Sequence, residues 1–166
     1  VSAFLLNRSS DLAIEVTTLI VNGAECEPFI TSDHRAMLED TQDIIEGMKL
    51  ICKYVGLDEA YIGIEANKPR AIAKLMEAAK RYPNIEVQPL RIKYPQGAEK
   101  QLIKAITGRS VPNGALPISV GCIVNNITTM YTIYLAVQKN KPIVQTYTTV
   151  SGRSLRPDQC KNYRLR

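Results

Sequence analysis

Apolar residues along this chain recur in two rhythms that take turns. Short runs at Val16–Val21, Tyr61–Ile64, Ile85–Ile92 and Ile118–Val124 read as strands, and the first of them does not alternate cleanly with polar residues. That is the pattern of a strand covered on both faces. Between the runs, apolar residues fall at three- and four-residue spacing, the mark of amphipathic helices. Met37, Leu38, Ile44, Ile45, Met48, Ile51, Cys52 and Val55 predict one long helix, capped by Thr31-Ser32-Asp33 and ended at Gly56. Pro69 opens a second helix whose inner stripe is Ile72, Leu75, Met76 and Ala79, and Tyr82-Pro83-Asn84 stops it. A third is expected from Ala98 to Thr107, terminated by Gly108, and a fourth after Asn125-Asn126, carrying Ile127, Met130, Tyr131, Tyr134, Leu135 and Val137.

Strand followed by helix, repeated along the chain, predicts an α/β fold: a Rossmann-like, mostly parallel sheet with right-handed crossovers and helices on both faces. The texture changes after Pro142. Ile143–Val150 is β-rich and leads through Ser151-Gly152 to a second extended piece around Tyr163, which predicts a C-terminal β hairpin. At the other end, Val1–Leu6 is a short apolar run broken by Asn7–Asp11.

Polar residues gather where the strands stop. Asn22, Glu25 and Glu27 follow the first run, Gly97 and Glu99 the third, and Asn125 and Asn126 the fourth. In a parallel sheet these turns share one edge, outside the carboxyl ends of the strands, where ligands bind. Taken singly, an Asn before a helix reads as an N-cap and a Glu in its first turn as a complement to the helix dipole. Three such turns converging on one edge read as a site. Side-chain amides both donate and accept, which suits a flat heteroaromatic ring with carbonyls and N–H groups, and carboxylates suit ribose or ribityl hydroxyls. Gly97 would admit a ligand close to the backbone, and the helix after it offers free N–H groups to an anion.

Composition narrows the classes. With 166 residues, 45% of them hydrophobic, the chain suits one well-buried α/β domain rather than two. A formal charge of +5 comes from scattered Lys and Arg, and aromatics make up only 6%, so nucleic acid is not indicated. Cys26, Cys52, Cys122 and Cys160 are far apart and form no C-x-x-C pair, which argues against a metal cluster held by this chain and suits a reducing compartment. Cys26, Glu27, Asp33 and His34 lack the second His that would support a metal site, and Cys26 lacks a fixed base for nucleophilic work. There is neither a Walker loop nor a G-x-G-x-x-G, and no apolar run has the length of a membrane span.

Four segments then carry a family resemblance: Leu19-Ile-Val-Asn-Gly-Ala-Glu-Cys-Glu-Pro28, Tyr94-Pro-Gln-Gly-Ala-Glu-Lys-Gln-Leu102, Thr107-Gly-Arg109 with Val111-Pro112, and Val124-Asn-Asn-Ile127. In this order they resemble the RnfC subunits of bacterial Rnf electron-transport complexes, from Val16 to the C-terminus. More distantly, they are similar to the flavin-bearing NADH dehydrogenase subunit of respiratory complex I. The resemblance implies that residues 1–142 are an FMN/NADH-binding domain, lacking its upstream glycine-rich loop, and that 143–166 begin a β-grasp-like soluble-ligand-binding module. It implies that Asn22, Asn125 and Asn126 face FMN, and that Glu25, Glu27, Gly97 and Glu99 surround the flavin ring and the nicotinamide of NADH, with the hydride chemistry belonging to the flavin. Without the upstream loop, little or no FMN retention and no activity are expected of this stretch alone. The implied function is an NADH-dependent flavin oxidoreductase subunit passing electrons between NADH and ferredoxin, coupled to ion translocation. Its implied partners are the other Rnf subunits and, indirectly, ferredoxin, on the cytoplasmic side of the inner membrane, with 4Fe-4S clusters only in a further C-terminal part. A cobalamin-reductase-type flavoprotein and a non-redox docking scaffold are the alternatives.

Overall fold

The structure, a computed structural model, describes residues 15–165. The apolar run Val1–Leu6 and the region where an upstream flavin loop would join lie outside the described residues. Strands β1 (Thr18–Gly23), β2 (Glu59–Glu65), β3 (Ile85–Leu90) and β4 (Cys122–Asn126) form one parallel sheet in the order β3-β2-β1-β4. The chain therefore moves outward from β1 to β3 and then crosses back to the far side of β1. Leu19, Ile20 and Val21 of this central strand are fully buried, consistent with a run that has no polar face to offer water.

Helices cover both faces. Alternate strand residues Leu19, Val21, Ile62, Ile64 and Val87 pack against α1 (Ser32–Glu39), α2 (Thr41–Val55), α3 (Pro69–Ala79) and α5 (Ile127–Lys139). Ile20, Leu90 and Cys122 point the other way, onto Leu102 and Ile103 of α4 (Glu99–Thr107). Full burial of one such Leu or Ile contributes about 1.5–3 kcal/mol, so the layer of α1, α2, α3 and α5 carries most of the core. Gly47 of α2 shows how closely α5 lies: a Cβ there would stand 1.9 Å from the Met130 carbonyl oxygen. The helix ends follow their sequence signals, with Pro69 in the first turn of α3 and Gly56 and Gly108 left-handed after α2 and α4.

Beyond small shifts at the ends of the other strands, the structure departs from the pattern reading at α1 and at β4. The single long helix expected from Met37 to Val55 is two, because the chain turns at Asp40, whose N–H still closes on Ala36. No side chain of Thr31 caps α1. The fourth strand begins at Cys122, not Ile118, since Pro117–Val120 forms a 3-10 turn ended by left-handed Gly121. A short apolar run does not by itself separate a turn from a strand, and Pro117 at the head of this half-buried run favours the turn.

The C-terminal hairpin pairs β5 (Thr146–Val150) with β6 (Lys161–Leu165), antiparallel, across a longer connection that holds the 3-10 turn Pro157–Gln159. It docks on both ends of α1. The Thr31 N–H donates to Thr149 Oγ1 at 3.1 Å, Asn162 Nδ2 donates to Thr31 Oγ1 at 2.9 Å, and the Tyr147 hydroxyl donates to Asp40 at 2.7 Å.

Candidate functional site

Reversal of strand order beside β1 places the carboxyl ends of β1 and β4 at the point where an open α/β sheet parts to form a crevice. Registry sets Val21 beside Asn125 and Asn22 beside Asn126. The Asn22 side chain rivets two turns together: Oδ1 accepts from the Ala24 N–H at 3.1 Å, and Nδ2 donates to the Gly97 carbonyl at 2.9 Å. The same contact explains the glycine. A Cβ on Gly97 would lie 2.5 Å from the Ala24 carbonyl oxygen, so in this structure the close approach expected of a ligand is made by the protein itself.

Glu25 reaches back to cap α1. Its carboxylate accepts from the N–H groups of Asp33 at 2.8 Å and His34 at 3.3 Å, taking the role that sequence assigns to Thr31-Ser32-Asp33. Its charge is met by Lys68, whose Nζ lies 3.6 Å from Glu25 and 3.5 Å from Glu65 and donates to the Glu25 carbonyl at 3.1 Å. All three side chains are within 9% of full burial. Burial pushes the Glu25 carboxyl above its usual range, partly offset by the Asp33 N–H and the Lys68 charge. Burial also lowers the His34 imidazole, and the Lys68 charge adds to the effect.

Asp33 is held from the other side. It accepts from Asn126 Nδ2 and from Thr128 Oγ1, both at 2.8 Å, while Asn126 Oδ1 caps α5 by accepting the Thr128 N–H at 2.7 Å. Glu27 is exposed and accepts from the Tyr94 hydroxyl at 3.1 Å, a bond that raises the phenol's pKa. Glu99 is the exposed first residue of α4, whose N-cap, Ala98, offers no side-chain acceptor.

A cleft of about 390 Å³ opens among these turns, lined by Glu25, Cys26, Glu27, Ile30, Asp33, Pro95, Gly97 and Ala98 among others. Of the residues singled out from sequence, Glu25, Glu27 and Gly97 line it. Asn22 ties its walls together, Asn126 braces Asp33 from behind, Glu99 follows lining residue Ala98, and Asn125 lies half-buried at the end of β4. Sequence reasoning missed Lys68 and Gln96. Gln96 is 2% exposed, and its Oε1 has no hydrogen-bond partner. Lys68 follows the polar residues Glu65 and Asn67 just before Pro69, and nothing local tells that it is buried. Among the described residues no three His, Cys, Asp or Glu side chains are placed to hold a metal ion.

A parallel sheet with a polar crevice outside the carboxyl ends of its strands is the arrangement in which α/β domains bind ligands. Residues 5–135 match the Nuo51 FMN-binding domain, and the chain belongs to that family. It is 44% identical over 142 residues to the C-subunit of the proton-translocating ferredoxin:NAD(+) oxidoreductase complex of Clostridium ljungdahlii, covering 86% of this chain and 31% of that protein. It is 42% identical over 151 residues to the C-subunit of the Na(+)-translocating ferredoxin:NAD(+) oxidoreductase complex of Acetobacterium woodii, covering 91% and 34%. The chain thus spans about a third of the length of these relatives. Among solved structures, an NAD+-reducing NiFe hydrogenase in the air-oxidized state superposes with a TM-score of 0.71 over 90% of this chain and 30% of the other, at 21% identity, which shows a shared fold.

Proposed function

We propose that this chain binds FMN and NADH in a subunit that passes electrons between NADH and ferredoxin within an ion-translocating membrane complex. The observation that carries the reading is the crevice between the turns after β1 and β3, built from segments that match an FMN-binding family. Its chemistry fits the group. The N-terminus of α4 lacks a side-chain cap, Gly97 and Ala98 just before it line the crevice, and Gln96 between lining residues Pro95 and Gly97 has a buried Oε1 that lacks a donor. A flat ring with N–H and carbonyl edges would satisfy such groups. Flavin, when bound, supplies the hydride and electron chemistry, and the protein contributes binding, orientation and electrostatics.

The residues divide by what they do. Asn22 fixes the relation of the β1 and β3–α4 turns, so that Gly97 and the α4 N-terminus face the ligand in one geometry. Asn125 and Asn126 close the β4 side. Glu27 and Glu99, both exposed, take the nicotinamide side, where a carboxylate accepts from carboxamide or ribose donors. Glu25, satisfied within the protein, shapes the wall. The hairpin from Thr146 is the start of a separate ligand-binding module, other subunits of the complex are the partners, and the cytoplasmic face of the membrane is the location. Among the described residues no helix is long and apolar enough to cross a membrane.

FMN titration followed by flavin fluorescence tests the reading, using this chain beside one extended upstream. The extended protein should bind FMN and quench its fluorescence, and this chain should bind less or none. In the extended protein, Glu99→Gln and Glu27→Gln should each shift the NADH dependence of flavin reduction by at most about 1.5–3 kcal/mol, the worth of a charged hydrogen bond. FMN content should stay normal. Because both carboxylates serve one site, their effects should be less than additive. Absence of any flavin binding by the extended protein would remove the redox reading and leave a docking scaffold.

A further inference from the structure

Glu27-Pro28-Phe29-Ile30 forms a reverse turn closed by the Ile30 N–H on the Glu27 carbonyl at 3.4 Å. Proline takes the second position, and the third is Phe29 with φ of 66°. A left-handed third position after proline is the type II arrangement, which calls for glycine or asparagine. A phenylalanine there is strained. Its ring gains nothing from the fold in return, being 82% exposed. Two unfavourable features therefore coincide on one residue, and the turn that holds it stands between two cleft-lining residues, Glu27 and Ile30. Such strain, concentrated at the rim of a binding site, points to a role with ligand.

The neighbours tell which ligand. Glu27 presents an exposed carboxylate at this lip, steadied by the Tyr94 hydroxyl, and Tyr94 is itself 68% exposed. Glu25 and Asp33 line the cleft below. An aromatic face beside carboxylates favours a flat ring that carries positive charge. Nicotinamide carries that charge only when oxidised.

We propose that Phe29 is a specificity-determining residue that covers the nicotinamide ring and favours its oxidised, cationic form over the neutral reduced form. This rests on the nicotinamide-binding reading above. Phe29 stacks on the pyridinium face, and Glu27 supplies the opposing charge at its edge. The ring tightens the grip on NAD+ and leaves the flavin site untouched.

The test uses the full-length FMN-loaded protein, titrated calorimetrically with NAD+ and with redox-inert tetrahydro-NADH, whose ring is uncharged. Phe29→Gly removes both the aromatic ring and the strain, so its melting temperature should equal or exceed that of the parent, with unchanged FMN content. Its Kd for NAD+ should rise about two- to fivefold, the range of an exposed cation–π contact, while tetrahydro-NADH shifts by less than about twofold. Phe29→Tyr should restore the parental preference and Phe29→Leu should not. Equal weakening of both nucleotides, or no change in either, overturns the role of Phe29 while leaving the nucleotide site standing. A parental protein that holds FMN but binds neither nucleotide overturns the nicotinamide reading itself.

Discussion

Lys68 shows how one residue governs the geometry of the acidic turn. Its ammonium lies between Glu25 and Glu65 in a space from which water is nearly excluded, and it also holds the Glu25 carbonyl. Breaking a buried ion cluster from one side leaves uncompensated charge, at a cost of about 3–5 kcal/mol. Lys68→Met should therefore lower stability by that order at neutral pH. The sign with pH follows from Glu25, which burial already pushes above its ordinary 4.5 and which would rise further without Lys68. A raised carboxyl binds a proton in the folded state that the unfolded chain has released. The variant should thus regain stability as pH falls through the folded pKa toward 4.5, which urea midpoints at pH 7.5 and 5.5 will show. A deficit that is the same at both pH values would mean that the loss is packing rather than charge. Sequence revealed that Glu25 mattered but not why. Lys68 is 43 residues away in a different turn, and only the alignment of β1 with β2 brings them together.

Among the elements, α1 is the one whose surroundings were hidden. Periodicity merged it with α2 because both bury the same apolar face, and the break at Asp40 has no glycine or proline to announce it. The reason lies in the hairpin, which grips both ends of α1 and places the Tyr147 hydroxyl on Asp40 and Glu39, at 2.7 and 3.2 Å. Burial first, and then the Asp40 bond, raise the Tyr147 phenol well above the ordinary value of 10.0. Since the folded value is raised, the contribution is complete below pH 10 and is lost as pH climbs through the folded value. Tyr147→Phe should cost about 1 kcal/mol at pH 7, the usual net worth of a hydrogen bond. The gap between variant and parent should narrow only at strongly alkaline pH. Ultraviolet titration should find one late-ionising tyrosine fewer in the variant than in the parent, since Tyr61, pushed up to about 12 by its bond to Glu59, remains in both. The hairpin itself was legible, because its β-branched run after Pro142 needs no tertiary knowledge, but where it docks was not.

For the whole molecule, sheet order follows from the sequence only in part. Alternating strands and helices dictate a parallel sheet, and that sheet puts the polar turns on one edge. Nothing in a single strand's composition says that β4 will lie beside β1 rather than beyond β3, and that choice sets Asn125 and Asn126 beside Val21 and Asn22. The same arrangement ranks the parts by stability. β1 and β2 are central and wrapped by apolar side chains, whereas the β5–β6 pair is two strands, partly exposed and attached mainly through polar contacts. Regions with few buried apolar contacts open below the global unfolding energy. Hydrogen exchange read by mass spectrometry should show Leu19–Val21 and Ile62–Ile64 exchanging last, and Thr146–Val150 with Lys161–Leu165 exchanging well before them. Thr31 connects the two regimes: it is bonded to the hairpin on one side and opens the helix capped by Glu25 on the other. Ligand in the crevice should slow exchange in the turns after β1 and β3, and through Thr31 it should slow the hairpin by a smaller factor. The double variant Thr149→Val with Asn162→Ala, which removes both side chains that hold Thr31 to the hairpin, should erase the second effect and keep the first. Slowing of the hairpin that persists in the double variant would show that the two are linked by a route other than Thr31.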